Sequence, residues 1–539
     1  MKKLSCFGNK VEHSLPSIQK HSCLLQSRHP VASSLLRNLA RRANSFWTQL
    51  AYFFLVSAIG YWALKLCEPK SPSYKPRDLD IFFTSVSATT ASSMSTVEME
   101  AFSNSQLIII ILLMLFGGEV FTSMLGLYLS RSEFAGRDHR KVNSAVSDHS
   151  DNNIELKLPP LHPVKEANTF KFDPEMKGIP LKPAPCGEGL VKYRAAKYLS
   201  YVVLAYLIIV HAGGSTLLSV YISVVPSARK VLRDKGLAVQ MFSVFMTVST
   251  FANCGFVPLN ENMLAFKHNP GLLWLLLPQV LLGNTLYPPC LMAAIWLLKW
   301  VTGRAEFDYM LRNSGEMGYA HLLPGFHCLC LAATVCKFLL VQFVALCCME
   351  WGSPAMEGLS PYEKLVGALF EAANTRHAGE SVFDLSIISP AILVLFVLMM
   401  YLPTHTSFLP VRNVKTAPKI QRDEPRRHLL TRLMFSQLSY LVIFIILICI
   451  TEREYLKNDP LNFNVMNITI ETISAYGNVG FSIGYSCKRR LHTDSPCRDA
   501  AYGLVGRWSN KGKFILIIVM FFGRLKKFNM KGGAAWSLS

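Results

Sequence analysis

Apolar residues fall into eight runs: Phe46–Leu66, Leu107–Leu129, Tyr198–Val225, Leu272–Trp300, Leu331–Met349, Ile387–Leu402, Leu438–Ile450 and the shorter Phe514–Phe522. A bilayer core requires about 20 apolar residues per helix, and most of these runs approach or meet that length. The stretches between them are of two kinds. One kind is charged and basic. The other is moderately apolar, rich in Ser, Thr, Gly and Asn, and occurs four times: "DIFFTSVSATTASSMSTVEME" (80–100), "VQMFSVFMTVSTFANCGFVPLNENM" (239–263), "YEKLVGALFEAANTRHAGESVFDLS" (362–386) and "NVMNITIETISAYGNVGFSIGY" (464–485). Each opens on a helix-like stretch too short to cross, then breaks at small residues. Irregular backbone is tolerated at membrane depth only where protein buries it or where it lines a watery path. The pattern predicts an all-α polytopic membrane protein, with eight transmembrane helices plus four re-entrant helices and loops in a pseudo-fourfold arrangement.

The repeating unit is an outer helix, a short helix with its loop, and an inner helix. The units fall at 46–130, 195–302, 323–413 and 429–539, leaving a basic segment 1–45 and linkers 131–194, 303–322 and 414–428. Aligning the turns "ASSM", "NCGF", "HAGE" and "NVGF" puts Ser93, Gly255, Gly379 and Gly480 in register, most closely in the second and fourth, where Asn-x-Gly-Phe recurs. Glycine suits a point where loops converge, because it adopts backbone angles that a Cβ makes costly. K⁺-channel filters are loops of this kind, whose carbonyl oxygens replace an ion's hydration shell.

Composition agrees with a membrane protein: 51% of residues are hydrophobic, 17% are charged, and the formal net charge is +20. The positive charge is spread over one side of the alternation instead of gathered into a basic motif with interleaved aromatics, so membrane lipid is the expected partner and nucleic acid is not. The first 45 residues hold eight Lys/Arg against one acid, and 411–432 hold seven against two. By the positive-inside rule the N-terminus, the linkers and the C-terminus are cytoplasmic. Lys488, Arg489, Arg490, Arg498 and Arg507 oppose that orientation, since they lie in a loop it places outside. No cleavable signal is evident, and the run from Phe46 reads as an uncleaved anchor. Seven of the 14 cysteines sit in or beside apolar runs as small hydrophobes, and only Cys487 and Cys497, both in the external loop, are a candidate disulfide.

At "FFTSVSATTASSMSTVEMEAFSNSQLI", "GNTLYPP" (Gly283–Pro289), "NTRHAGES", "NVMNITIETISAYGNVGFS" and "GRLKKF" (Gly523–Phe528), the chain resembles plant HKT transporters of the Trk/Ktr/HKT superfamily, over about residues 46 to 539. The resemblance implies a plasma-membrane transporter, a homodimer with one pathway per subunit, and a filter at Ser93, Gly255, Gly379 and Gly480. It implies flanking roles for Ser92, Met94, Asn253, Cys254, Phe256, His377, Ala378, Asn478, Val479 and Phe481. A Ser-Gly-Gly-Gly set resembles the subfamily that conducts Na⁺ in preference to K⁺. The transported ion at the filter is then Na⁺, no resident cofactor is expected, and a channel-like uniporter needs no chemical step. A Na⁺/K⁺ symporter or K⁺-permeable member is the alternative; a membrane-embedded enzyme or a non-conducting scaffold is weaker. Cys254, Ala91 and Asn510 depart from the family's usual residues.

Glu98 and Glu100 follow the first turn, where carboxylates either concentrate cations at a mouth or brace the loop. Glu371 and Glu471 lie inside short helices and read as braces for neighbouring loops. Arg376 and His377 in "RHAGE" have no nucleophile, metal-ligand set or cofactor motif beside them, so a scaffold is expected and catalysis is not. Arg524, with Lys526 and Lys527, ends the last helix as an inner-face anchor, and Arg524 is also a candidate for control of conduction at an inner mouth. Asn467 heads the sole glycosylation sequon, at the start of the fourth short helix.

Overall fold

The computed structural model describes residues 45–70, 76–128, 185–403, 437–490, 497, 499 and 502–529. Residues 1–44, most of the 131–194 linker, the 414–428 linker, Arg498 and the basic C-terminus from residue 530 lie outside the described residues. The chain forms two units, 1–55 and 56–539. The described part of the first is the beginning of outer helix 1, Ser45–Leu66, which continues into the second.

Every regular element among the described residues is helical. Outer helices are Ser45–Leu66, Pro185–Val224, Gly325–Glu350 and Gln437–Thr451. Short helices are Asp78–Thr89, Val239–Phe251, Pro361–Asn374 and Val465–Gly477, at 12, 13, 14 and 13 residues too short to span a bilayer. The third starts on a capping box, Ser360 and Glu363 each accepting from the other's backbone N–H, with Pro361 in the first turn. Inner helices begin at Asn104, Pro270, Pro390 and Asn510.

Two inner runs that read as single crossings are broken. Leu107–Leu129 divides into Asn104–Gly117 and Glu119–Tyr128, bent by 57°, and Leu272–Trp300 divides into Pro270–Leu282 and Tyr287–Thr302, bent by 84°. The bends fall at Gly117-Gly118-Glu119 and Gly283-Asn284-Thr285, breaks too short to interrupt the apolar average of a window about 20 residues long. Their cause is local: Gly118 has extended backbone (ψ 143), and Gly283 through Leu286 precede two prolines that start a new helix. Other boundaries also move. Outer helix 2 begins at Pro185, inside the stretch read as linker, and the 303–322 linker holds a helix, Ala305–Arg312. The run Phe514–Phe522 is the middle of a 20-residue helix, Asn510–Asn529.

Within residues 56–539 the packing is cyclic. Inner helix 1 lies against short helix 2, inner 2 against short 3, inner 3 against short 4, and inner 4 against short 1. The last contact carries a buried ion pair, Lys513 Nζ to Asp80 Oδ1 at 2.7 Å. Three inner helices also press a glycine onto the last carbonyls of their own short helix: Gly117 on Thr89, Gly283 on Phe251 and Gly523 on Tyr476, each with no room for a Cβ. The short helices are thereby held with their C-termini turned toward one another's loops.

Candidate functional site

The four turns meet. Ser93 Oγ donates to the Val479 carbonyl at 3.3 Å, a Cβ at Gly255 would fall on the Ala378 carbonyl, and one at Gly379 would lie 2.8 Å from the Phe481 nitrogen. All four register residues have left-handed backbone, with φ of 40, 88, 68 and 103 at Ser93, Gly255, Gly379 and Gly480. The three glycines take this conformation without strain, whereas a serine there costs about 1–2 kcal/mol. Ser93 is thus the one side chain in a ring otherwise made of backbone.

Three of the loops are built alike. The N–H groups of Ser92, Cys254 and Val479 close back onto the carbonyls of Ser87, Ser249 and Ser474 at 2.8, 2.9 and 3.0 Å. Each accepting serine stands six residues before its ring position, a repeat within the sequence that the alignment of turns alone overlooks. In these loops Ala91, Asn253 and Asn478 are left-handed as well. The third loop instead returns the Gly379 N–H to the Asn374 carbonyl at 3.1 Å. The departure Ala91 is buried, and its single Cβ still carries the strain of positive φ, while Cys254 is buried behind the ring as a small apolar side chain.

Side chains tie one loop to the next. Asn478 Nδ2 donates to Ser92 Oγ at 2.8 Å and to the Met520 carbonyl at 3.1 Å, joining loops 4 and 1 to inner helix 4. His377 is buried, with Nδ1 2.5 Å from the Ala373 carbonyl and Nε2 2.8 Å from Thr285 Oγ1 in the bend of inner helix 2. Arg376 donates to the Pro403 carbonyl at 2.7 Å and stacks over Phe338. Met94, Phe256, Ala378 and Phe481 are buried around the ring.

Glu371 and Glu471 act as a matched pair. Glu371 accepts from Val382 N at 3.0 Å and Ser381 Oγ at 3.1 Å; Glu471 accepts from Ile483 N at 3.1 Å and Ser482 Oγ at 2.5 Å. Each carboxylate, fully buried, fixes the chain as it leaves the ring. Glu471→Ala removes the acceptor of a buried N–H and a hydroxyl, at about 1–3 kcal/mol per orphaned group. Its thermal unfolding midpoint in detergent is expected to fall well below that of Glu471→Gln, which retains one accepting oxygen; equal midpoints would show that the carboxylate braces nothing.

Glu380 is a further acid at the ring, one that the turn motifs alone do not mark. It is buried beside Gly379 and accepts from Thr250 Oγ1 of short helix 2 at 2.5 Å. The signal was available: Met94, Phe256 and Phe481 occupy the corresponding position in the other repeats, so a carboxylate there breaks an apolar pattern.

Glu100 braces. Its carboxylate binds Lys235 at 2.9 Å and accepts from Asn260 N at 3.1 Å, linking the first loop to the second repeat. Partial burial alone would lower the Lys235 pKa, but the hydrogen bonds that it donates to Glu261 and Glu100 outweigh that and raise it. Glu98 is half-buried before the turn Met99–Ala101. Arg524, which is buried, donates Nη2 to the Gly117 carbonyl at the bend of inner helix 1, while Lys526 lies 4.3 Å over the Tyr476 ring. The Lys527 side chain lies outside the described residues. Asn510 is exposed, and the acid of that corner is Glu452, which accepts from Ser509 N and Oγ at 3.0 and 2.6 Å. Cys487 and Cys497 are joined by a disulfide. Asn467 is buried and its Nδ2 donates to the Asn462 carbonyl at 2.8 Å, which engages the amide a glycan would need.

A vestibule of about 370 Å³ opens on one side of the ring and is lined by all four register residues. At the ring itself the four register positions offer converging backbone and the Ser93 hydroxyl to whatever enters. The family profile described as "TrkH: Cation transport protein" matches residues 187–530. Two similar plant proteins extend the match over the first repeat: the cation transporter HKT1;3 of Oryza sativa subsp. japonica is 48% identical over 92% of this chain and 92% of its own, and the sodium transporter HKT1 of Arabidopsis thaliana is 50% identical over 88% and 92%. This chain belongs to the HKT/TrkH family of cation transporters. As an HKT-type chain it is a transporter and not an enzyme. The structure titled as the potassium transporter TrkH from Vibrio parahaemolyticus covers 95% of this chain and 87% of that one, with 13% identity and a TM-score of 0.48.

Proposed function

We propose that this transporter conducts Na⁺ in preference to K⁺ across the plasma membrane, as a channel-like uniporter whose selectivity filter is the ring of Ser93, Gly255, Gly379 and Gly480. The vestibule is then the extracellular mouth, the termini are cytoplasmic, and the protein is a homodimer with one pathway in each subunit. The observation that carries the reading is Ser93: its hydroxyl stands in the ring and lines the vestibule where the other repeats present only glycine. The side chain narrows one quarter of the ring, which penalises the larger ion, and adds a hydroxyl oxygen for a partly dehydrated smaller one. The Arabidopsis relative's name, a sodium transporter, agrees with that assignment. Transport follows the membrane potential, worth about 2.3 kcal/mol per charge per 100 mV, so no energy-coupling site is required.

The test is a reversal-potential measurement on the expressed chain in mixed Na⁺ and K⁺. The reversal potential is expected to follow external Na⁺ and to move little with external K⁺. Comparable shifts with both ions would assign the chain to the K⁺-permeable or symporting members, and absence of any cation current would sink the conduction reading.

A further inference from the structure

The vestibule contains a cation of its own. Arg489 lines it, together with Asp384 and Glu261. Glu261 is engaged by Lys235 at 2.5 Å, so Arg489 and Asp384 set the remaining balance of the wall. The stretches beyond the ring in the first three repeats carry acids, Glu98 and Glu100, Glu261, and Asp384, whereas the fourth carries Arg489. A mouth that served only to gather cations would have no use for a guanidinium, which stays charged at any physiological pH.

Arg489 is also held in place. It ends a one-turn helix, Cys487–Arg489, with its N–H on the Ser486 carbonyl at 3.2 Å and Nη2 on the Gly484 carbonyl at 3.3 Å. Its Nε is buried without an acceptor among the described residues, a geometry that a freely moving side chain would relax by turning to water. The turn is clamped on three sides. Cys487 is bonded to Cys497, its N–H donates to Asp499 Oδ1 at 2.6 Å, and Asn462 both donates to the Ser486 carbonyl at 3.1 Å and accepts from its N–H at 3.3 Å. Half-burial lowers the Arg489 pKa, opposed by the carboxylates of Asp384, Asp459 and Asp499 and by the Tyr485 phenol. Lys488 and Arg490 flank Arg489 in the chain, and Arg507, stacked over Tyr485, is a further cation nearby.

We propose that Arg489, presented to the vestibule by the disulfide-closed turn, is a conductance-setting residue: it opposes accumulation of cations at the mouth and so fixes how conduction responds to dilute external Na⁺. The proposal rests on the reading of the vestibule as the mouth of a conduction pathway. One charge at a wet, protein-walled entrance changes cation entry by roughly two- to fivefold at low ionic strength. The effect fades as the screening length shrinks from about 30 Å at 0.01 M to about 3 Å at 1 M.

The experiment measures inward Na⁺ conductance of the full chain at fixed dilute external Na⁺, at low ionic strength and again after adding choline chloride. The ratio of the two conductances in one cell is independent of expression level. Arg489→Gln is expected to raise the ratio of low-salt to high-salt conductance two- to fivefold, Arg489→Glu to raise it further, and Arg489→Lys to match the parent. Replacing Cys487 and Cys497 by serine together is expected to shift the ratio in the direction of Arg489→Gln and to add nothing in that background. An unchanged ratio in Arg489→Gln, or a Lys variant that behaves like the Gln variant, overturns the proposal while leaving conduction standing. Absence of current in the parent chain overturns both.

Discussion

Ser93→Gly is expected to raise K⁺ permeability relative to Na⁺ by about tenfold, a difference of about 1.4 kcal/mol between the two ions. The substitution does three things at one point. It removes the hydroxyl that lines the vestibule and donates to the Val479 carbonyl at 3.3 Å. It opens the space that Ser93 now fills against Gly480, where an added Cβ would lie 2.8 Å from the serine's own Cβ. It relieves the left-handed strain of a non-glycine residue at φ 40, about 1–2 kcal/mol. A wider, all-glycine ring costs the larger ion less, and loss of the hydroxyl removes an oxygen from the smaller one. Both effects move selectivity the same way, and a tenfold change shifts a bi-ionic reversal potential by about 59 mV. Ser93→Ala separates them, because it keeps the Cβ and loses only the hydroxyl. If the alanine variant selects like the parent, bulk governs; if it selects like the glycine variant, the oxygen does. A reversal potential unmoved by Ser93→Gly would mean that the four turns have been placed in the wrong register.

The parts of this arrangement that were legible in the sequence are those governed by composition over a dozen residues or more. The four short helices announced themselves as polar interruptions of apolar runs, and Asn-x-Gly-Phe in the second and fourth fixed a register that also brought Ser93 and Gly379 to the ring. Glu371 and Glu471 could be read as braces because a carboxylate inside an apolar helix needs donors and the descending loop has them. What was not legible depends on contacts across the chain. The bends after Gly117 and Gly283 have local causes, but the seating of those glycines on the carbonyls of Thr89 and Phe251 is a contact that a hydropathy scan cannot see. The Lys513–Asp80 pair joins residues 433 apart in sequence. Glu98 and Glu100 look equivalent in the sequence, and the contacts of Glu100 with Lys235 and Asn260 reach into another repeat. The basic stretch Lys488–Arg490 reads in the sequence only as an exception to the orientation rule, whereas in the fold its turn ends on the vestibule.

Gly255→Ala and Gly480→Ala should each cut cation current by at least tenfold without removing the protein from the cell surface, and only the second should be repairable. Both residues sit at φ values, 88 and 103, that an alanine adopts only with strain. Their neighbours differ. A Cβ at Gly255 falls on the carbonyl of Ala378, which is ring backbone and cannot move without dragging loop 3 along; Ser93 Oγ is a lesser neighbour at 3.1 Å. A Cβ at Gly480 falls first on the Ser93 side chain, on Oγ and then on Cβ at 2.8 Å, with the Ser92 carbonyl after it at 2.9 Å. Deleting the Ser93 side chain therefore clears the main obstacle to Gly480→Ala and leaves that of Gly255→Ala in place. The Ser93→Gly, Gly480→Ala double variant is expected to recover part of the current lost in Gly480→Ala, whereas Ser93→Gly should not rescue Gly255→Ala. Current normalised to surface-labelled protein measures both, as a pair of double-mutant cycles. Equal rescue of the two, or of neither, would contradict the geometry in which loop 1 abuts loop 4 through a side chain while loop 2 abuts loop 3 through backbone.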